Sequence, residues 1–283
     1  NLIPEWDILC QGVAVLGMAI SLAVCCGIVN HGFVFFILTI QYYFLVVSGQ
    51  NFFSFQWDIL LLEVGMATSL CYCEWTDFRL NTRMYRQNKE HMNSMGVWPL
   101  RFLLFKLMFM SGVVKLQAQC PTWLNLTALE YHFATQPLPG PLAWHAHQLH
   151  PLFLRLSIAA TLLIEIPLAF LLLAPSQCTR CLGARLQVLL QIMIFCSGNY
   201  NFFNLLTVVL CIPCFEDEGA GDVQVKNYAA GRMVLRKIIT LAFVFYCAVK
   251  MFRLQKVATP QHEHDLSIDY NVSLTLTAED LTS

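Results

Sequence analysis

The chain has 283 residues, of which 57% are hydrophobic and 12% charged, with 17 Lys and Arg against 18 Asp and Glu. A soluble domain carries about 25% charged and about 45–50% apolar residues, so water is not the solvent for most of these side chains. A formal net charge of -1 leaves no excess of basic groups to grip a phosphate backbone, and nucleic acid is excluded as a partner.

Apolar runs close to the roughly 20 residues that cross a bilayer core recur along the whole length. They predict an all-α fold, a polytopic transmembrane helical bundle embedded in the lipid bilayer. The chain opens at Asn1 without Met, and its first apolar run lacks the basic start and cleavage site of a signal peptide, so it reads as an excised or processed piece. Three spans are expected first, Ile8 to Val29, Phe33 to Val47 and Phe52 to Cys73, with polar breaks at Asn30-His31 and residues 48–51. Residues 74–98 form a loop with Arg79, Arg83, Arg86 and Lys89, and Pro99 then opens a fourth span ending near Gln117. Proline suits the first turn of a helix. Residues 119–151 hold no Lys or Arg and carry turn signals from Gln136 to Pro141 before a fifth span, Leu152 to Ala174.

A short connection with Arg180 and Arg185 leads to Leu186–Phe215, which is interrupted by Ser197-Gly198-Asn199-Tyr200-Asn201. This predicts a broken helical hairpin of two short helices. Such a break is tolerated at membrane depth only where protein or a wet cavity satisfies the backbone. A last span, Val234 to Phe252, completes a multi-pass domain over residues 1–258, and residues 259–283 read as a polar tail or linker to a further domain. A weak internal echo links Ser48-Gly49-Gln50-Asn51-Phe52-Phe53 with Ser197–Phe203.

Basic loops stay cytosolic, which places residues 74–98, 175–185 and 226–237 inside and the 119–151 loop on the luminal side. The tail then falls on the luminal side too. Sequons at Asn125-Leu126-Thr127 and Asn271-Val272-Ser273 share that side, so Asn125 and Asn271 are candidate glycosylation sites. Lys250, Arg253 and Lys256, near the luminal end of the last span, count against this orientation.

An ionisable residue at mid-span costs about 2.5–3.5 kcal/mol, so Asp58, Glu63, Lys106, Lys115, Arg155 and Glu165 should be paired, hydrated or functional. Asn199, Asn201 and Asn204 add polar groups at the hairpin. Lys106 and Lys115, nine residues apart, lie on opposite sides of one helix at about 100° per residue. Lys106 and Arg155 are expected to snorkel to the headgroups. Small Ser111 and Gly112, a turn before Lys115, admit a close neighbour helix, and Lys115 is expected to pair with Asp58 or Glu63.

Twelve cysteines include the CxxC pairs Cys178/Cys181 and Cys211/Cys214. Four thiolates at this spacing suit a tetrahedral zinc ion, but their apolar setting and cytosolic placement favour packing, and neither a metal nor another cofactor is expected. The 119–151 loop carries His132, His145, His147 and His150 beside Cys120 and Glu130, among Trp123, Tyr131, Phe133 and Trp144. The expectation is an ordered loop packed on the membrane or on a partner, with Trp123, Tyr131, His132, Gln136 and Trp144 as its contact residues. No Ser/His/Asp elbow, HExxH or phosphate loop supports hydrolysis or phosphoryl transfer.

Several stretches resemble the lipase maturation factor family: Phe55–Asp58, Leu100–Phe109 with Ser111–Leu116, Cys120–Trp123 with Leu126–Leu129, Ala134–Pro139, Pro141–Trp144 and Gly198–Thr207. The likeness extends over residues 50–218. It implies an endoplasmic reticulum membrane protein that helps secreted lipases fold or assemble, with luminal segments recognising these secretory clients. The family's luminal C-terminal domain and first transmembrane helix have no counterpart in the likeness, and the CxxC pairs are outside its pattern. Ser111–Leu116 also faintly resembles the lysine-bearing segment of vitamin K-dependent gamma-carboxylase, which implies an enzyme using Lys115 as base on a lipid-soluble substrate. A transporter is the third reading, suggested by the broken hairpin and the intramembrane charges. The maturation factor is preferred, and an enzyme is the less favoured class.

Overall fold

The computed structural model describes residues 3–29, 31–53, 55–71, 94–136, 139–198, 200–215 and 238–250, and no strand occurs among them. In chain order the helices are α1 (Ile3–Cys25), α2 (Gly32–Gly49), α3 (Gln56–Cys71), α4 (Ser94–Gln117), α5 (Pro121–Leu124), α6 (Ala128–Thr135), α7 (Ala143–His147), α8 (Pro151–Glu165), α9 (Gln177–Ser197) and α10 (Phe203–Cys211). Residues 238–250 form α11. The 3-10 segments Gln50–Phe53, Leu168–Leu173 and Ile212–Phe215 join or extend them.

Among the described residues five segments are long and apolar enough to cross a membrane: Trp6–Cys25, Gly32–Gly49, Val97–Gln117, Pro151–Leu173 and Gln177–Ser197. The protein is an all-α polytopic helical bundle, as its apolar runs predict. Lipid replaces water as the outer solvent, so α1 exposes apolar side chains such as Ile8, Val15 and Leu22 without cost.

The core lies around α4, whose Leu103 and Leu104 are fully buried and which packs against α3, α8, α10 and the Leu168–Leu173 segment. Phe105 and Phe109 of α4 meet Phe170 edge-on at centroid distances of 5.0 and 5.4 Å. Arg101, buried near the start of α4, donates from Nε and Nη2 to the Pro213 carbonyl at 3.0 and 2.9 Å, tying α4 to the end of the hairpin.

Three expectations are corrected. The fourth span opens at Ser94, and Pro99 lies buried inside the helix. The fifth span is not continuous: α8 stops at Glu165, and the chain resumes as a 3-10 segment after Pro167. Pro167 has no N–H for the Leu163 carbonyl and its ring crowds that group, so the α-helix cannot run on undisturbed. Gln187 Nε2 of α9 donates to the Ile164 carbonyl at 3.0 Å, covering an acceptor that the break lays open.

The third correction concerns residues 175–185, expected as a cytosolic connection. They begin α9, a full 21-residue span, so that only the second arm of the hairpin is short. Arg180 is buried there because Nη1 donates to the Ala174 and Pro175 carbonyls at 3.1 and 2.7 Å, satisfying acceptors at the end of the 3-10 segment. The two copies of the Ser-Gly…Phe-Phe echo each occupy the tip of a helical hairpin, α2/α3 and α9/α10. Residues 72–93, 216–237 and 251–283, with Asn199 and Asn271 among the candidate sites, lie outside the described residues.

Candidate functional site

Asp58, Glu63 and Glu165 each find a partner within the fold. Lys115, in the last turn of α4, meets Glu165, the last residue of α8, with Nζ 2.6 Å from Oε1 and 2.5 Å from Oε2. It pairs with neither Asp58 nor Glu63. The small residue one turn earlier does admit a neighbour: a Cβ on Gly112 would stand 2.4 Å from Ile166 Cγ1 and 3.0 Å from Glu165 Cβ. That neighbour is the broken end of α8, which the apolar pattern conceals.

Lys106, on the other side of α4, does not snorkel. Its Nζ is 2.6 Å from Glu63 Oε1 of α3, with both side chains 12% exposed. The half-turn separation of the two lysines thus gives each its own helix and its own glutamate. Asp58 accepts from the Tyr42 hydroxyl at 2.5 Å and from the Phe55 N–H at 3.3 Å. The second bond reaches back across the first turn of α3 in the manner of a capping box, near the positive end of the helix dipole. Arg155 is exposed one turn into α8.

Above Lys115 the 119–151 loop is tied down. Trp123 places its ring 5.2 Å from Lys115 Nζ, a cation–π contact. The end of α9 leaves carbonyls without helical partners, and the loop supplies donors: Leu142 N–H to Cys196 O and Gln136 Nε2 to Ser197 O, both at 3.2 Å. Gly140 permits this approach, because a Cβ there would lie 2.9 Å from the Gly198 carbonyl. His132 Nε2 is 3.0 Å from the Tyr200 hydroxyl, with the rings stacked at 6.3 Å. Burial holds the His132 pKa below its ordinary value.

The five expected contact residues therefore divide. Tyr131 and Trp144 are 60% and 67% exposed, whereas Trp123, His132 and Gln136 hold the loop against the bundle. Leu124, Leu142 and Leu149 are exposed as well. His150 Nδ1 accepts from the Leu152 N–H at 3.2 Å as the cap of α8, and Asn125 stands exposed at the end of α5. Among the described residues no three His, Cys, Asp or Glu are placed to hold a metal. Cys211 and Cys214 are buried while Cys178 is exposed, and Cys181 donates to the Cys214 carbonyl at 3.8 Å.

At the hairpin, Asn201 takes the left-handed conformation, φ 54°, which asparagine tolerates better than most residues. Asn204 is buried and donates from Nδ2 to the Gln191 carbonyl at 3.2 Å, tying α10 to α9. A cavity of about 210 Å³ lies here, between Lys115–Glu165 on one side and Gln191, Tyr200 and Asn204 on the other. From the sequence, Tyr200 was named only within the polar break, and neither Gln187 nor Gln191 was singled out. The signal was present: two glutamines four residues apart in an apolar run share one helix face.

A family model described as the lipase maturation factor transmembrane domain matches residues 2–221. Lipase maturation factor 2 of Xenopus laevis is 43% identical over 257 residues, covering 86% of this chain and 36% of its own length. Lipase maturation factor 2 of Homo sapiens is 41% identical over 209 residues, covering 73% and 30%. Lipase maturation factor 1 of Mus musculus is 31% identical over 209 residues, covering 74% and 35%. The chain spans about a third of the length of these curated relatives. No solved structure matches it. The gamma-carboxylase likeness of Ser111–Leu116 gains no support from these matches.

Proposed function

The chain belongs to the lipase maturation factor family, and from that premise we propose that it serves as an endoplasmic reticulum membrane factor assisting the folding or assembly of secreted lipases. Its 119–151 loop faces the lumen and meets the client, and Asn125 carries a glycan. The observation that supports this reading is the division within the loop. Tyr131 and Trp144 stand exposed on a segment whose backbone and inner side chains are bonded to α9 and the hairpin tip. Exposed aromatic groups on a fixed frame offer apolar area to a partly folded partner with little ordering cost at the moment of contact.

The test is secretion of active lipase from cells lacking the gene, complemented with the full-length protein, with Tyr131→Ser/Trp144→Ser, or with residues 119–151 replaced by a neutral linker. Secretion falls with both altered proteins if the loop docks clients. Undiminished secretion with both removes the loop from the mechanism, and lipase secretion that does not depend on the gene removes the proposed function. Loss with Lys115→Ala in a stably inserted protein, and not with the loop changes, favours the enzyme instead.

A further inference from the structure

Two residues that line the cavity beside the Lys115–Glu165 pair each carry a polar atom that the fold leaves unserved. Gln191 Oε1 and Asn204 Oδ1 have no hydrogen-bond partner, and their residues are only 4% and 3% exposed. A buried acceptor without a donor is unfavourable, and it marks a place where a molecule from outside the chain completes the network. The amide orientations decide what is missing. Asn204 Nδ2 is committed to the Gln191 main-chain carbonyl, and Gln191 Nε2 faces the Met108 sulfur at 3.9 Å. The oxygens are therefore the vacant positions, and the ligand must bring donors.

Charge narrows the class. Lys115 and Glu165 neutralise each other at 2.5–2.6 Å, so a charged ligand would meet no spare counter-charge in a site of low polarity. Size and lining narrow it again. The cavity of about 210 Å³ far exceeds the roughly 10–15 Å³ that one water needs by this measure. Leu107, Met108, Ile194 and Phe203 supply apolar wall beside the two amides. Its lining comes from α4, α8, α9 and the hairpin arm, and the first three belong to candidate membrane spans, so a lipid is the ligand class at hand.

We propose that this cavity binds an uncharged, hydroxyl-bearing lipid, whose hydroxyls donate to Gln191 Oε1 and Asn204 Oδ1 while its first carbons rest on the apolar wall. A monoacylglycerol has this chemistry. Nothing in the site depends on the client role of the 119–151 loop, so the two readings fail separately.

The experiment uses the full-length protein in nanodiscs and a photoreactive monoacylglycerol, with crosslinked peptides read by mass spectrometry. Labelling is expected on α4, α9 or α10, with monooleoylglycerol competing and methyl oleate, which has no hydroxyl, failing to compete. Gln191→Met, nearly isosteric and without the acceptor, should weaken binding about tenfold and leave thermal stability equal or higher. Leu107→Phe, which narrows the cavity from its apolar side, should weaken binding without touching either amide. Equal competition by methyl oleate, stronger competition by oleate anion, unchanged binding in both variants, or no labelling of these helices would each overturn the proposal.

Discussion

Glu165 is a carboxylate whose side chain is 4% exposed and whose charge is answered by Lys115. Removing one member of such a pair leaves the other charge buried, which costs far more than the intact pair contributes. Lys115→Met should destabilise the protein by about 3–5 kcal/mol, and Lys115→Met with Glu165→Leu should recover most of that loss. Thermal unfolding of purified protein in detergent reads both. If the double variant is no more stable than the single one, the pair is not what holds α4 to α8. That the two lysines face opposite sides of α4 was legible in their spacing, whereas Lys106 was expected at the headgroups and instead meets Glu63. Their partners were not legible, because sequence distance says nothing about which carboxylate the folded chain delivers.

His132 carries the pH dependence of the loop. Burial lowers its folded pKa below the ordinary value of about 6.5. The undocked loop therefore binds a proton first as pH falls. Docking is favoured fully above about 6.5 and loses stability as pH falls from there through the lower folded value. The protection of amides over residues 128–136, with exchange corrected for its intrinsic pH dependence, should fall between pH 7.5 and pH 5.5, and His132→Gln should flatten that response. A profile identical in wild type and variant would take His132 out of the contact.

At the scale of elements, the apolar runs placed the spans because a bilayer demands about 20 apolar residues whatever surrounds them. Boundaries failed where polar groups are buried with local partners. Arg180 read as a loop charge, yet it belongs to α9 because two carbonyls at the end of the Leu168–Leu173 segment accept from it. The break in α8 matters more, since it brings Glu165 and Ile166 against Gly112. Gly112→Val should push α4 and α8 apart and cost about 1–3 kcal/mol through overpacking. An unchanged melting temperature would show that the contact yields without strain.

Across the whole molecule, the loop and the hairpin tip behave as one cap on the bundle. A Cβ at Gly140 would lie 2.9 Å from the Gly198 carbonyl, so Gly140→Val should undock the loop while the spans stay inserted. Faster proteolysis within residues 119–151, unaltered membrane insertion and reduced lipase secretion are the expected results together. Faster proteolysis with full secretion would separate docking from client handling.

The sequence by itself determined the solvent, the all-α bundle, the hairpin and the family. These follow from one-dimensional quantities: the length of apolar runs, the position of polar interruptions and the order of residues in motifs. Only the tertiary structure decided that Lys115 meets Glu165, that Lys106 meets Glu63, that His132 and Gln136 face inward, and that Gln191 and Asn204 share a cavity. Each of those depends on where separate helices approach one another, and Pro167, Gly112 and Gly140 set that approach through local sterics that no pattern of hydrophobicity records.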